Sequence, residues 1–261
     1  MNEIESLKAE IARLEKELKE TKAQSNQYLQ NVAHQLTAPL GAIKWSIEAL
    51  KDERVPINRK KTLLSSIYSQ ATILVHLIKN FALMSNLEAD HELGQFREQP
   101  EPNDIMRLCM NLANDFQPQA LDKGIKIIVD DDSFRKVFGS QQLEIEKNLI
   151  SQAISNVIEN GWKYAEPDSD IIISACNMED GIGVQVESLG IPISDEDSNR
   201  IFDRGYRGHS AKQKVAAGTG FGLYLAARVM KFHGGRIKLG TNRNISKFIF
   251  VFPRTRLLRG G

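Results

Sequence analysis

Apolar residues in the first third of the chain recur every three or four positions, a spacing that matches one face of an α-helix and excludes strands there. The first stripe consists of Ile4, Leu7, Ile11, Leu14 and Leu18. Glu and Lys fill the positions between these residues, as they do in a heptad repeat. Because a seam of about three heptads is marginal alone, residues 1–28 are predicted to form a coiled-coil helix that needs a partner helix.

Two further stripes follow, separated by a loop at residues 51–58 that contains Pro56. They consist of Leu29, Ala33, Leu36, Leu40, Ile43, Ile47 and Leu50, and of Leu64, Ile67, Ala71, Leu74, Ile78, Phe81 and Leu87. Two helices with one apolar face each bury those faces poorly alone, so residues 29–97 are predicted to form an all-α helical hairpin that dimerises into a four-helix bundle. The register slips across the polar residues 21–27, which indicates either a packing adjustment or a hinge.

The periodicity becomes mixed after a linker at residues 98–103 that contains Pro100 and Pro102. Helical spacing and strand-like alternation then follow one another, which predicts an α+β sandwich over residues 98–255, a mixed sheet with helices on one face. The predicted helices are residues 105–116, 146–164 and 221–232. The predicted strands are residues 125–129, 136–138, 171–176, 182–187, 236–239 and 247–252.

Composition limits the partners of this chain. The net charge is +1, so no overall field recruits nucleic acid or an anionic membrane. Cys109 and Cys176 are far apart and lack metal-ligand spacing, which favours two core thiols in a reducing compartment. No run of about 18 apolar residues occurs. We therefore expect a cytoplasmic location, without membrane contact by this fragment, whose sensor or anchor would lie elsewhere.

A glycine-rich turn at residues 218–223, Gly-Thr-Gly-Phe-Gly-Leu, lies downstream of an asparagine-bearing helix and leads into another apolar helix. Alternating glycines let backbone N–H groups approach a polyphosphate, and a helix N-terminus favours anions. In the upstream helix, Asn160 offers an amide oxygen that suits Mg²⁺. Lys163 and Tyr164 follow three and four residues later on the same face. Together these features predict a pocket for ATP.

His34 lies beside the second stripe and is predicted to point away from it, toward solvent. Pro39 follows five residues later, removes a backbone donor and is expected to kink the helix near His34.

With these motifs in this order, residues 29–252 resemble the catalytic core of a two-component sensor histidine kinase. Residues 34–40 resemble its H box and residues 156–164 its N box. Residues 188–193 resemble the first glycine box, residues 201–207 the F box and residues 218–223 the second glycine box. The resemblance implies an ATP-binding domain of the histidine kinase ATPase type behind a dimerisation and phosphotransfer hairpin, with residues 1–28 as a signalling helix.

The resemblance also assigns roles to residues. His34 would be the phosphoacceptor, Asn160 the Mg²⁺ ligand and Arg207 the lid arginine that spreads charge over the transferring phosphoryl group. Catalysis would involve His34, Gln35 and Arg207. The nucleotide would contact Asn156, Asn160, Lys163, Tyr164, Ser188, Gly190, Gly218, Thr219, Gly220, Gly222 and Leu223. The implied partners are a second copy of the chain and the receiver domain of a response regulator, docked near Lys44, Ile47 and Leu50.

Some positions depart from the family pattern. Gln35 replaces the acid that follows the phosphoacceptor, and an amide cannot accept the proton of the imidazole. Ala38 replaces Thr or Asn, which puts phosphatase activity in doubt. Ser188 replaces the aspartate that accepts a hydrogen bond from adenine, and Pro192 stiffens the turn that follows.

Three functions remain open at the level of sequence. The first is an active kinase that phosphorylates His34 and passes the group to an aspartate. The second is a catalytically impaired dimeric pseudokinase that binds nucleotide or a regulator. The third is a hydrolytic ATPase, which Asn156 disfavours, because related ATPases carry a glutamate there to activate water.

Overall fold

The computed structural model describes residues 2–52, 54–88, 100–215 and 218–258. The chain begins with an antiparallel helical hairpin, α1 (Asn2–Leu50) and α2 (Ile57–Glu88). Helix α1 runs without interruption through residues 21–27, so the register slip is accommodated within one continuous helix. It also continues past Pro39, whose missing N–H leaves the carbonyl of Gln35 without its usual helical donor.

Much of the apolar surface of the hairpin is exposed in the single chain. Leu14, near the start of α1, is 54% exposed, and Leu64 on α2 is 57% exposed. Other exposed members of these stripes are Leu7, Ile11, Leu18, Leu29, Leu40, Ile47 and Ile78, joined by Trp45, Tyr68 and Val75. Side chains of this kind form the core of a bundle when a second hairpin covers them.

The rest of the described chain is an α+β sandwich, as the sequence predicts. Its main sheet has five strands in the order β2 (Lys126–Val129), β4 (Asp170–Met178), β5 (Gly181–Leu189), β7 (Ile245–Phe252) and β6 (Arg236–Asn242). Strand β2 runs parallel to β4 and the other pairs are antiparallel, so the sheet is mixed. A smaller sheet has the order β1 (Glu101–Asn103), β3 (Gln142–Ile145) and β8 (Leu257–Leu258).

Three helices pack on one face of the main sheet: α3 (Ile105–Leu121), α5 (Lys147–Tyr164) and α8 (Gly222–Phe232). The alternation along β4 shows which face is covered, because Ile171 and Ile173 are buried and Ile172 is 38% exposed. Shorter helices are α4 (Asp131–Phe138), α6 (Asp195–Arg200) and α7 (His209–Lys214). The core is therefore a layer of apolar side chains between the sheet and these three long helices.

The prediction of a strand at residues 136–138 is wrong, because these residues end helix α4. The side chain of Asp130 caps this helix by accepting a hydrogen bond from the N–H of Ser133 at 3.2 Å. Phe134 and Phe138, four residues apart, are buried on one face. The missing strand lies just beyond, as β3.

Smaller differences concern the start of this domain. Residues 101–103 of the predicted linker form strand β1, which pairs with β3. The predicted boundary at residues 97 and 98 lies outside the described residues. Cys109 is fully buried, as predicted, and Cys176 is only half-buried on β4.

Candidate active site

Helix α5 forms one wall of a pocket beside the sheet. Its first turn is capped by Glu146, whose carboxylate accepts hydrogen bonds from the N–H groups of Asn148 at 3.1 Å and Leu149 at 2.5 Å. Val157 and Ile158 are buried against the core and orient the opposite side of the helix toward the pocket. That side presents Asn156, Asn160, Lys163 and Tyr164.

The glycine-rich turn forms the facing wall. Gly220 has a φ of +73°, and a Cβ there would lie 2.7 Å from the carbonyl carbon and oxygen of Gly205. Only glycine fits this close approach of two backbone segments. Helix α8 begins at Gly222, and the side-chain Nδ2 of Asn156 donates to the carbonyl of Gly222 at 3.1 Å. The turn is thereby fixed to α5.

The sequence-predicted binding residues all lie around this one pocket, which we call the main pocket. Those lining it are Gln35, Asn156, Asn160, Lys163, Tyr164, Ser188, Gly190, Arg207, Gly218, Thr219, Gly220, Gly222 and Leu223. Such convergence of amides, a lysine, an arginine and backbone donors on one concave surface suits a polyanionic ligand.

His34 lies outside the main pocket, on the exposed side of α1, as predicted. It lines an adjoining space, which we call the histidine cavity, together with Glu159 and Arg204. The histidine cavity and the main pocket share Gln35, Lys163 and Arg207 among their lining residues. A ligand group bound at this shared edge of the main pocket therefore faces the cavity that His34 lines.

Ser188 lies deep in the main pocket and is 8% exposed. It pairs across strands β5 and β7 with Ser246, and the two hydroxyl oxygens are 3.2 Å apart. Either hydroxyl can donate to the other, so both donor and acceptor capacity is present at this end of the pocket.

Arg207 holds the segment between α6 and α8, which lines part of the main pocket. Its guanidinium donates to the carbonyls of Gly218 and Ala211, each at 3.4 Å, and to that of Val215. Tyr206 is also held there, because its hydroxyl donates to Asp197 at 2.7 Å, a bond that raises the pKa of Tyr206. Ala216 and Ala217, in the same segment, lie outside the described residues.

Lys214, at the end of α7, is exposed and also contacts the end of α5. Its ammonium donates to the carbonyl of Tyr164 at 2.9 Å and to that of Ala165 at 3.2 Å. It also lies 3.5 Å from the carboxylate of Glu166. Lys214 thus connects the segment between α6 and α8 to the end of α5.

Sequence reasoning missed Asn80 and Glu159. Asn80, on α2, donates from Nδ2 to the side-chain oxygen of Asn156 at 2.7 Å and accepts from Gln152 at 2.9 Å. No spacing in the sequence relates residue 80 to residue 156, because only the docking of the hairpin brings them together. For Glu159 the sequence does contain a pattern, because Lys163 follows it by four residues, the spacing of an ion pair on a helix. The two side chains lie 2.7 Å apart.

Gln35 contacts the glycine-rich turn directly. We assign its amide with the oxygen toward the turn, because the opposite orientation would place N–H groups against N–H groups. In this orientation the oxygen accepts hydrogen bonds from the backbone N–H of Gly218 at 3.0 Å and of Thr219 at 3.1 Å.

A divalent metal would have few ligands from the protein. Among the residues that the structure describes, no group of three or more His, Cys, Asp or Glu side chains is arranged to hold a metal ion. Asn160 is partly exposed within the main pocket. One amide oxygen suits Mg²⁺, which retains water and takes most of its other ligands from phosphate.

Two family models match this chain. Residues 24–90 match the His Kinase A (phospho-acceptor) domain, and residues 145–256 match the histidine kinase-, DNA gyrase B-, and HSP90-like ATPase. The chain belongs to the histidine kinase family. It carries both domains of a catalytic core of the two-component type, and the second match assigns ATP binding to the domain that contains the main pocket.

Curated sensor kinases resemble this histidine kinase core along most of its length. It is 24% identical over 230 residues to the sensor-like histidine kinase SenX3 of Mycolicibacterium smegmatis, covering 87% of this chain and 57% of the relative. It is 23% identical over 261 residues to the sensor histidine kinase CusS of Escherichia coli O157:H7, covering 96% and 50%. The chain thus spans about half the length of these relatives.

Solved structures share the fold. The histidine kinase AdeS of Acinetobacter baumannii is 18% identical with a TM-score of 0.51, covering 84% of this chain and 97% of that one. Full-length ShkA in complex with AMPPNP is 20% identical with a TM-score of 0.54, covering 87% and 45%. None of these similarities supports the pseudokinase alternative.

Within the described residues, no helix is both long enough and apolar enough to cross a membrane.

Proposed function

We propose that this core transfers the γ-phosphoryl group of ATP to His34 and then passes it to an aspartate on the receiver domain of a response regulator. The observation that carries the proposal is the position of His34. Its cavity adjoins the main pocket and shares Gln35, Lys163 and Arg207 with it. A phosphoryl group at this shared edge would lie between the nucleotide that donates it and His34, which accepts it.

The residues of the main pocket divide the work of binding. Backbone N–H groups of Gly218, Thr219 and Gly220 would hold phosphate oxygens, and Lys163 would add a positive charge. Asn160 would hold Mg²⁺, which when bound neutralises charge on the phosphates. Ser188 and Ser246 would contact the base. Asn156, Tyr164, Gly190, Gly222 and Leu223 would complete the nucleotide site.

In the transfer step, a ring nitrogen of His34 forms the new N–P bond while the bond from the γ-phosphorus to its bridging oxygen breaks, and ADP leaves. Arg207 would stabilise the charge on the transferring group. The imidazole must also lose a proton. Gln35 cannot accept it, so we assign the proton to solvent, which reaches the exposed His34.

Dimerisation and partner docking follow from the hairpin. The phospho-acceptor domain match implies dimerisation, and the exposed apolar stripes of α1 and α2 supply the surface for a homodimer. A receiver domain would dock below His34, near Lys44, Ile47 and Leu50. We propose residues 1–28 as the signalling helix, 29–97 as the phosphotransfer hairpin and 98–255 as the ATP-binding domain.

Radiolabel from γ-labelled ATP with Mg²⁺ tests the proposal. Acid-labile, base-stable label should appear in the wild-type chain and disappear in His34→Ala. His209→Ala is the matched control, because His209 is an exposed histidine that lines neither cavity, and it should keep its label. Label that persists in His34→Ala would contradict the proposal. Nucleotide binding without any label in the wild type would favour the pseudokinase alternative instead.

A further inference from the structure

Two amide side chains of the hairpin reach the polar groups of the main pocket. Gln35, from α1, accepts from the N–H groups of Gly218 and Thr219 at 3.0 and 3.1 Å. Asn80, from α2, donates to the side-chain oxygen of Asn156 at 2.7 Å. Each helix of the hairpin therefore places a side-chain amide at the main pocket.

The Gln35 contact uses donors that a phosphate would need. Neighbouring N–H groups in a glycine-rich turn at the start of a helix form an anion-binding arrangement. An amide oxygen is a neutral acceptor that satisfies these donors in the absence of an anion. A phosphate oxygen and the oxygen of Gln35 cannot both occupy the space in front of Gly218 and Thr219.

The Asn80 contact fixes the other end of the turn. Asn80 accepts from Gln152 at 2.9 Å and donates to Asn156, which in turn donates to the carbonyl of Gly222 at 3.1 Å. This chain of amides runs from α2 through α5 to the first residue of α8. The glycine-rich turn is thus connected to the hairpin at both ends, at Gly218 through Gln35 and at Gly222 through Asn156.

Other contacts between the hairpin and this domain lie away from the turn. Gln119 donates to the carbonyl of Ser69 at 3.2 Å, and the ring of His76 lies 4.7 Å from that of Phe116. These contacts hold α2 against α3 without touching the main pocket. Loss of the Gln35 contact would therefore release the Gly218 end of the turn while leaving this part of the interface in place.

We propose that Gln35 and Asn80 are positioning residues that hold the glycine-rich turn against the hairpin in the nucleotide-free protein, and that the phosphates of a nucleotide compete with Gln35 for the N–H groups of Gly218 and Thr219. The inference rests on the proposed function only for the identity of the ligand. Its consequence is that nucleotide binding frees α1 from the turn. The apparent affinity for the nucleotide is then the intrinsic affinity multiplied by the fraction of molecules in which Gln35 is not bound to the turn.

Calorimetric titration with ADP and Mg²⁺ measures this competition without any chemical step. Gln35→Ala should bind ADP about three- to thirtyfold more tightly than the wild type, because two neutral hydrogen bonds no longer compete. Asn80→Ala should change affinity in the same direction. Gln30→Ala is the matched control, since Gln30 is an exposed glutamine of α1 that lines neither cavity, and its affinity should equal that of the wild type. Equal or weaker ADP binding by Gln35→Ala would overturn the proposal.

Hydrogen exchange tests the contact without nucleotide. Amides of the peptide that contains Gly218 and Thr219 should exchange faster in Gln35→Ala than in the wild type or in Gln30→Ala, because their acceptor is gone. Saturating ADP should return the variant to slow exchange. Identical exchange in the nucleotide-free wild type and Gln35→Ala would show that Gln35 does not protect these amides, and would also overturn the proposal.

Failure of this inference can be told from failure of the proposed function. If the wild type binds ADP and labels His34 while Gln35→Ala has the same ADP affinity, the inference fails and the kinase remains. If neither the wild type nor Gln35→Ala binds ADP, both fail. If Gln35→Ala binds ADP where wild-type binding is too weak to measure, the inference is supported.

Discussion

The Nε2 atom of His233 accepts a hydrogen bond from the backbone N–H of Glu146 at 3.0 Å. The other ring nitrogen lies 2.8 Å from the carbonyl of Val229, so it carries the proton and the ring is neutral. His233 follows the last turn of α8 and Glu146 caps the first turn of α5. The bond therefore fixes the end of α8 against the start of α5, the helix that forms one wall of the main pocket.

Replacement of His233 by leucine should lower stability. The N–H of Glu146 would be left buried without its acceptor, at a cost of about 1–3 kcal/mol. Urea denaturation monitored by circular dichroism measures the loss. His209→Leu, at an exposed histidine, should change the free energy of unfolding by less than about 0.5 kcal/mol. Equal effects of the two substitutions would show that the buried hydrogen bond contributes nothing.

His76 predicts a pH dependence of stability. It lies on α2 where that helix packs against α3, and it is 8% exposed. Its Nδ1 has no hydrogen-bond partner among the described residues. Burial lowers the pKa of His76, opposed by the nearby charges of Glu159 and Asp115 and assisted by those of Lys79 and Lys163. Burial likewise lowers the pKa of His233.

The direction of this pH dependence follows from proton binding. The unfolded chain, with an ordinary histidine pKa of about 6.5, binds these protons more tightly than the folded chain. Stability is therefore fully present above that pH and falls as the pH drops below it. In His76→Leu the fall in denaturation midpoint between pH 7.5 and 5.5 should be smaller than in the wild type, with the contribution of His233 remaining. An unchanged pH profile would contradict the assignment to His76.

The parts of the fold that follow from sequence are those set by local pattern. Spacing predicted the hairpin and α5, and the glycines at 218, 220 and 222 predicted the turn, because each depends on nearby residues alone. The prediction of a strand at residues 136–138 is wrong for a local reason. Asp130 caps a helix there, and Phe134 and Phe138 lie on one face of that helix.

The contacts between the hairpin and the main pocket could not be predicted in this way. Asn80 meets Asn156, and Gln35 meets Gly218, only because α2 docks on α3 and α5. Such docking is decided by the fit of two folded surfaces, which no periodicity within either one contains. Lys214 is similar, since its acceptors at residues 164 and 165 are close in space and distant in sequence.

Gly220→Ala should weaken nucleotide binding while the protein remains folded. A Cβ at this position would lie 2.7 Å from backbone atoms of Gly205, and the φ of +73° disfavours any side chain. ADP affinity measured by calorimetry should fall more than about tenfold, which corresponds to the ~1–2 kcal/mol of strain. Gly41→Ala is the matched control, because a Cβ there has no neighbour within 4 Å. It should leave ADP affinity unchanged and stabilise α1 by up to about 1 kcal/mol.

Leu64→Glu should weaken the proposed homodimer. Leu64 is 57% exposed in the single chain and belongs to the apolar stripe of α2. In a symmetric dimer each substitution occurs twice, and each buried leucine contributes about 1.5–3 kcal/mol, so the dissociation constant should rise at least about a hundredfold. Sedimentation equilibrium measures this change. Ser65→Glu places the same charge on the neighbouring exposed position and should leave the dimer intact. If both variants dissociate equally, net charge rather than the apolar stripe controls association.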